Sequence, residues 1–199
     1  MISTVTAPFL FLGNHPALDF LNTAPRDGER LMDYRTLAAW TEEAGLVLPE
    51  DAAVAASRWG STAEAAAVLT RAHALRELFR DVVHCIIFGS TVAAELLVQL
   101  NAALREESGA YMELSRNPKT GGFQRITRLA LANASDLLAP ILRAMGAFLA
   151  EANLDLLRAC EDPTCVLVFY DVSKNHARRW CSMEACGNRH KVNAYRARK

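Results

Sequence analysis

Four of the five cysteines of this chain fall in one pattern near its end, Cys160-x4-Cys165-x15-Cys181-x4-Cys186. Two close pairs with a hairpin-length spacer are the donor set of a tetrahedral zinc site. Each x4 loop lets both sulfurs of a pair face one point. The pattern predicts one structural Zn2+ held by Cys160, Cys165, Cys181 and Cys186. Four thiolates leave no open position for water or substrate, which excludes a catalytic metal here. His190 is the alternative fourth ligand in place of Cys186, and His176 reads as a turn residue. A segment of about 40 residues rarely buries enough apolar surface to fold alone. A structural zinc supplies an apparent ~10–16 kcal/mol in such modules.

The spacer has its own signal. CVLVFYDVS is a strand, Lys174-Asn175-His176 a turn and Arg178-Arg179-Trp180 a short return strand. Such a hairpin brings Cys165 and Cys181 together at its base. Gly187 and NRHKVNAYRARK then suit a helix that starts near the fourth ligand. Knuckle, hairpin and ligand-bearing helix make a treble-clef-like order.

The preceding residues read differently. Residues 8–23 open with a strand-like apolar run broken at Gly13 and Pro16, and residues 24–33 are a loop. Helical spacing runs from about Thr36 to Ala44, again near 50–59, then from about Thr62 to Phe88 with Ser61 as N-cap. A further helix reaches about Glu107. Alternation on both sides of Asn117-Pro118-Lys119-Thr120-Gly121-Gly122 makes 110–128 a β-hairpin, and 129–153 returns to helix. Cys85 sits in a helical apolar run as a core thiol. The predicted fold class is α+β: a mainly helical N-terminal domain with a β-hairpin over 1–153, then a small treble-clef-like zinc finger over 154–199.

The chain has zero net charge, unevenly distributed. From Arg158 onward nine Lys and Arg stand against four acids, so the remainder is net acidic. Lys and Arg neutralise phosphates, and Arg and Asn also read guanine and adenine edges. The candidate nucleic-acid residues are Arg178, Arg179, Asn188, Arg189, Lys191, Arg196 and Arg198, with Val192 and Tyr195 docking the terminal helix on the hairpin. The same cations also suit structural pairing: Arg178 or Arg179 with Asp171, or with the charge of the metal–thiolate centre.

FYDVSKNHARRWCSMEACGNRHKVNAYRARK resembles the CGNR zinc-finger module of bacterial transcription regulators, through Cys186-Gly187-Asn188-Arg189. GNHPALDFLNT, Gly13 to Thr23, resembles the opening motif of the ABATE domain, a stress-induced regulator domain that usually precedes that finger. The resemblance implies the four cysteines as ligands and Arg178, Arg179, Trp180 and Arg189 as motif positions. It implies transcription regulation, with DNA as partner.

An acidic helical domain joined to a basic finger reads as a sensor joined to an output. Asn14, Asp19 and Asn22, with Arg35, are candidate ligands for a small-molecule effector. Their bland reading is that the asparagines cap turns and Asp19 pairs with a buried arginine. His73, Glu77 and His84 share a helical face and read as a polar edge. No GxSxG, Walker A, GxGxxG or HExxH is present, so the chain is not expected to be an enzyme. The start lacks a basic n-region, and the longest apolar stretch contains Asp136 and Arg143. No membrane partner and a reducing cytoplasmic setting are therefore expected. A single small finger holds DNA weakly, which makes a homodimer the expected binding form. A protein-interaction module with a structural zinc and no nucleic acid is the alternative.

Overall fold

The computed structural model describes residues 9–105 and 109–196. Six helices build the larger part: α1 (Pro16–Leu21), α2 (Tyr34–Glu43), α3 (Pro49–Trp59), α4 (Ala63–Ile87), α5 (Ala94–Arg105) and α6 (Ala139–Glu151). Strands β1 (Ala110–Arg116) and β2 (Phe123–Leu129) form an antiparallel hairpin between α5 and α6. A short antiparallel pair, β3 (Leu157–Ala159) and β4 (Val168–Tyr170), follows, and α7 (Asn188–Arg196) ends the described chain. This is the expected α+β architecture. No helix is long and apolar enough to cross a membrane among the described residues.

Helix α4 is the axis of the core. Ala65, Val68, Ala72, Leu75, Phe79 and Val83 recur at helical spacing and are buried, in line with the helix expected from about Thr62 to Phe88. Thr62, one residue beyond the expected cap Ser61, accepts from the Ala65 N–H and starts the helix. Phe20 of α1 and Trp40 of α2 meet ring to ring at 5.3 Å inside this core. Asp33 and Thr36 form a reciprocal capping box that sets the start of α2. Cys85 is half-buried on α4.

Three local expectations are corrected. The apolar run that opens 8–23 forms no strand over the described residues 9–12, and Pro16 sits in the first turn of helix α1, capped by His15 Nδ1 accepting from Ala17 N–H at 3.2 Å. Residues 129–153 are not one helix. Leu129 closes β2, a 3-10 turn occupies Ala134–Leu138, and α6 begins at Ala139 with Pro140 in its first turn. Finally, β4 does not pair with Arg178-Arg179-Trp180. Its partner lies upstream, with Leu157 opposite Tyr170 and Ala159 opposite Val168.

Candidate metal centre

The β3–β4 register puts the first cysteine pair in the connection between the two strands. Cys160 N–H donates to Leu167 O at 2.9 Å, which extends the ladder by one rung. Within the loop, Asp162 organises the turn. Its carboxylate accepts from Thr164 N–H at 2.9 Å and Thr164 Oγ1–H at 2.6 Å, and its carbonyl accepts from Cys165 N–H at 2.9 Å. The Thr164 bonds come first, and Arg189 adds to them, in holding the Asp162 carboxyl below the usual carboxylate range.

Of the second pair, Cys181 precedes a single π-helical turn, Met183–Gly187, and Cys186 lies within it. Ser182 caps it by accepting from Ala185 N–H at 3.3 Å, and Gly187 N–H donates to Ser182 O at 3.0 Å. All four sulfurs lie within 4.8 Å of one another. Cys165 and Cys181 Sγ are 3.7 Å apart, and Cys181 and Cys186 Sγ 3.6 Å. A tetrahedron with Zn–S bonds of about 2.3 Å has S···S edges of about 3.8 Å. The donor set and its spacing therefore fit one structural zinc. The His190 ring lies instead against Trp180, centroids 5.3 Å apart, outside the sulfur cluster.

Left to themselves, the thiols resist shared ionisation. The Cys181 S–H stabilises a thiolate at Cys165, whose pKa falls to about 5. Burial then pushes Cys186 up to about 12, and the hydrogen bond that Cys181 gives Cys165, with burial, raises Cys181 beyond the ordinary thiol range. A divalent cation removes that conflict by letting all four sulfurs be thiolates.

Much of the basic motif holds this centre together. The Arg178 guanidinium donates to Trp180 O at 3.0 Å, Leu12 O at 3.1 Å and Cys181 O, and lies 4.1 Å over the Phe169 ring. Its backbone N–H donates to buried Asp171 at 2.9 Å. Arg179 pairs with Glu161 at 2.6 Å and covers Trp180. Arg189 bridges Asp162 at 3.0 Å and Thr164 at 2.7 Å, tying the start of α7 to the first knuckle. Asn188 donates to Glu184 O at 3.1 Å. Lys191 and Arg196 are exposed and pair with no carboxylate among the described residues. Arg198 lies outside the described residues.

The helix carrying these residues is not docked as expected. Val192 is 47% exposed and Tyr195 60%, so neither packs α7 on the β3–β4 pair. No side chain described on α7 is buried. Its first turn is tied down through Arg189 and His190.

The N-terminal motif folds onto the finger's strand. Asn14, at φ 59°, donates from Nδ2 to Tyr170 O at 2.8 Å, and Tyr170 N–H donates to Gly13 O at 2.8 Å. Asn22 brackets Val168, with Nδ2 donating to its carbonyl at 3.0 Å and Oδ1 accepting from its N–H at 3.1 Å. Asp19 accepts from Gly13 N–H at 2.7 Å, and burial raises its carboxyl pKa to about 6. A Cβ at Gly13 would stand 2.8 Å from Leu18 Cβ, so only glycine permits this approach. Arg35 is elsewhere, on α2, donating to Ser61 at 3.4 Å. The four candidate effector ligands are thus not brought together, and none lines either of the grooves beside the finger. The buried arginines pair elsewhere than with Asp19, Arg76 with Glu29 and Arg30 with Asp27.

Several contributors escape the cysteine pattern. Asp162 and Thr164 are hinted at only by the Asp-Pro-Thr turn inside CEDPTC. Leu10 and Leu12 pack on the cysteine cluster from the far end of the chain, a contact with no local signal.

Two family models match. Residues 157–199 match the CGNR zinc finger, and residues 14–152 match ABATE, whose description reads "Putative stress-induced transcription regulator". No curated protein matches the chain. With most of its length under the second model and a four-sulfur centre under the first, the chain belongs to the ABATE family and carries a C-terminal CGNR zinc finger.

Proposed function

We propose that this protein regulates transcription by binding DNA through α7 of its zinc finger, without catalysing a reaction, in a reducing cytoplasm. One observation carries the reading. Helix α7 buries no described side chain of its own, and from Ala185 to Lys199 the sequence holds no Asp or Glu. An exposed helix that carries cations on two flanks and no carboxylate has the form of an element placed against a polyanion. The geometry divides the cations into two sets. Arg178, Arg179 and Arg189 have partners within the finger, and Lys191 and Arg196 are exposed, which supports giving the phosphate contacts to the latter pair.

Fluorescence anisotropy of the zinc-loaded chain on duplex DNA across a salt series tests this. Lys191→Glu with Arg196→Glu should abolish binding while metal content and melting temperature hold. The milder Lys191→Ala with Arg196→Ala should flatten the salt slope by about 2. Unchanged binding in both double variants would overturn the assignment and leave the protein-interaction reading.

A further inference from the structure

The β1–β2 hairpin carries an interaction surface. Of its fourteen residues only Leu129 is buried, whereas Tyr111, Met112, Leu114 and Phe123 are 52%, 50%, 69% and 71% exposed. A bare two-stranded ribbon with large apolar side chains in water is marginal by itself. The register places Met112, Leu114 and Arg116 on one face with their cross-strand partners Thr127, Arg125 and Phe123.

Hydrogen-bond phase identifies which edge is available. Asn117 N–H donates to Gly122 O at 2.9 Å, and Ala130 N–H to Gly109 O at 2.8 Å. In an antiparallel pair the inward-bonded residues alternate, so 111, 113 and 115 bond across to β2. The peptide groups of Met112, Leu114 and Arg116 therefore point outward, to an edge that no strand covers among the described residues. The outward groups of β2 differ. Leu129 N–H is already taken by Asp51 at 3.0 Å, and Arg125 stands among the outward residues, Arg128 being paired with Glu50 and Asp51. Two copies of β2 side by side would set like charges together.

We propose that a second copy of this chain pairs with the β1 edge, antiparallel, about a two-fold axis through Leu114. The phase is self-consistent. Leu114 faces its own mate and exchanges both N–H···O=C bonds with it, and Met112 faces Arg116 of the other copy, whose carbonyl keeps one lone pair beside its 3.5 Å bond from Ser115 Oγ. The pairing is bounded on both sides. One step further, the Ala110 carbonyl is taken by Arg143 at 3.3 Å, and its opposite number would be Pro118, which has no N–H. The result is a four-stranded sheet in which the Met112 and Leu114 side chains of both copies form one apolar stripe. The contact is isologous and closes.

Sedimentation velocity on the zinc-loaded full chain tests the pairing. The wild type should be a dimer at micromolar concentration, and Leu114→Arg a monomer with an unchanged melting temperature. In a Cys85→Ser background, Leu114→Cys should oxidise to a disulfide-linked dimer, because the paired Cα atoms sit about 5.5 Å apart, within disulfide reach. Arg125→Cys, on the other strand, should not. A monomeric wild type, a dimer that survives Leu114→Arg, or equal cross-linking from Arg125→Cys would each overturn the proposal. Should Leu114→Arg fail to fold, the cross-linking contrast decides alone.

Discussion

Replacing Asn22 with alanine tests whether the finger and the helical body stabilise each other. The Asn22 amide is 1% exposed and makes both hydrogen bonds that a neighbouring strand would make to Val168, at 3.0 and 3.1 Å. Val168 is itself 2% exposed, so alanine leaves a donor and an acceptor buried beside a gap too small to hydrate well. An unsatisfied buried group costs about 1–3 kcal/mol, so two give roughly 2–4 kcal/mol once partial relaxation is allowed. For a chain of this size that lowers the melting temperature by roughly 5–15 °C. Differential scanning calorimetry of the zinc-loaded protein measures it. Asn22→Asp keeps the acceptor for Val168 N–H but sets a carboxylate against its carbonyl, and should be no more stable than the alanine variant. A loss under about 0.5 kcal/mol in Asn22→Ala would refute the claim that this side chain serves as a strand substitute.

Other outcomes follow from the same geometry. Chelation should expose the thiols of Cys160, Cys165, Cys181 and Cys186 to a thiol reagent and lower the melting temperature; unchanged reactivity would exclude a metal-closed cluster. Arg189→Ala should speed zinc transfer to a chelator about fivefold, a loss of roughly 1 kcal/mol for a half-exposed clasp, with Arg189→Lys intermediate; equal rates in all three proteins would remove it as a support of the centre. Asp19 has a folded pKa of about 6 against 3.8 unfolded, so its contribution to stability is full below 3.8 and is lost as pH rises through 6. Asp19→Asn keeps an acceptor for Gly13 N–H and should gain on the wild type between pH 4 and 7; a gap that does not widen with pH would refute the burial argument.

The legible parts were those written in short-range periodicity. The stripe of α4, the 110–128 hairpin and the four-cysteine pattern each depend on residues a few positions apart, and each appears in place. Strand partnership was not legible. Val168-Phe169-Tyr170 reads as a strand, but nothing local distinguishes Leu157–Ala159 from Arg178–Trp180 as its neighbour. Exposure on α7 was not legible for the opposite reason: Val192 and Tyr195 have the spacing of a docked face, and only the three-dimensional packing leaves them about half exposed. Asn14, Asp19 and Asn22 looked like ligand groups because polar residues amid apolar ones have that chemistry. Their partners are peptide groups, of Tyr170 and Val168 and of nearby Gly13, which side-chain chemistry does not announce.

The clamp on β4 bears on how such a chain can be taken apart. A cut between residues 152 and 157, where the two family matches part, leaves Leu10, Leu12, Asn14 and Asn22 on the wrong fragment. The excised finger would carry all four sulfurs yet lose the lid over its cluster and the outer rungs of its strand. It is therefore no portable cassette. A chimera that transplants it into another regulator has to bring Phe9–Thr23 along, and the host must supply a counterpart of α6 to hold them, as Phe148 does for His15 here.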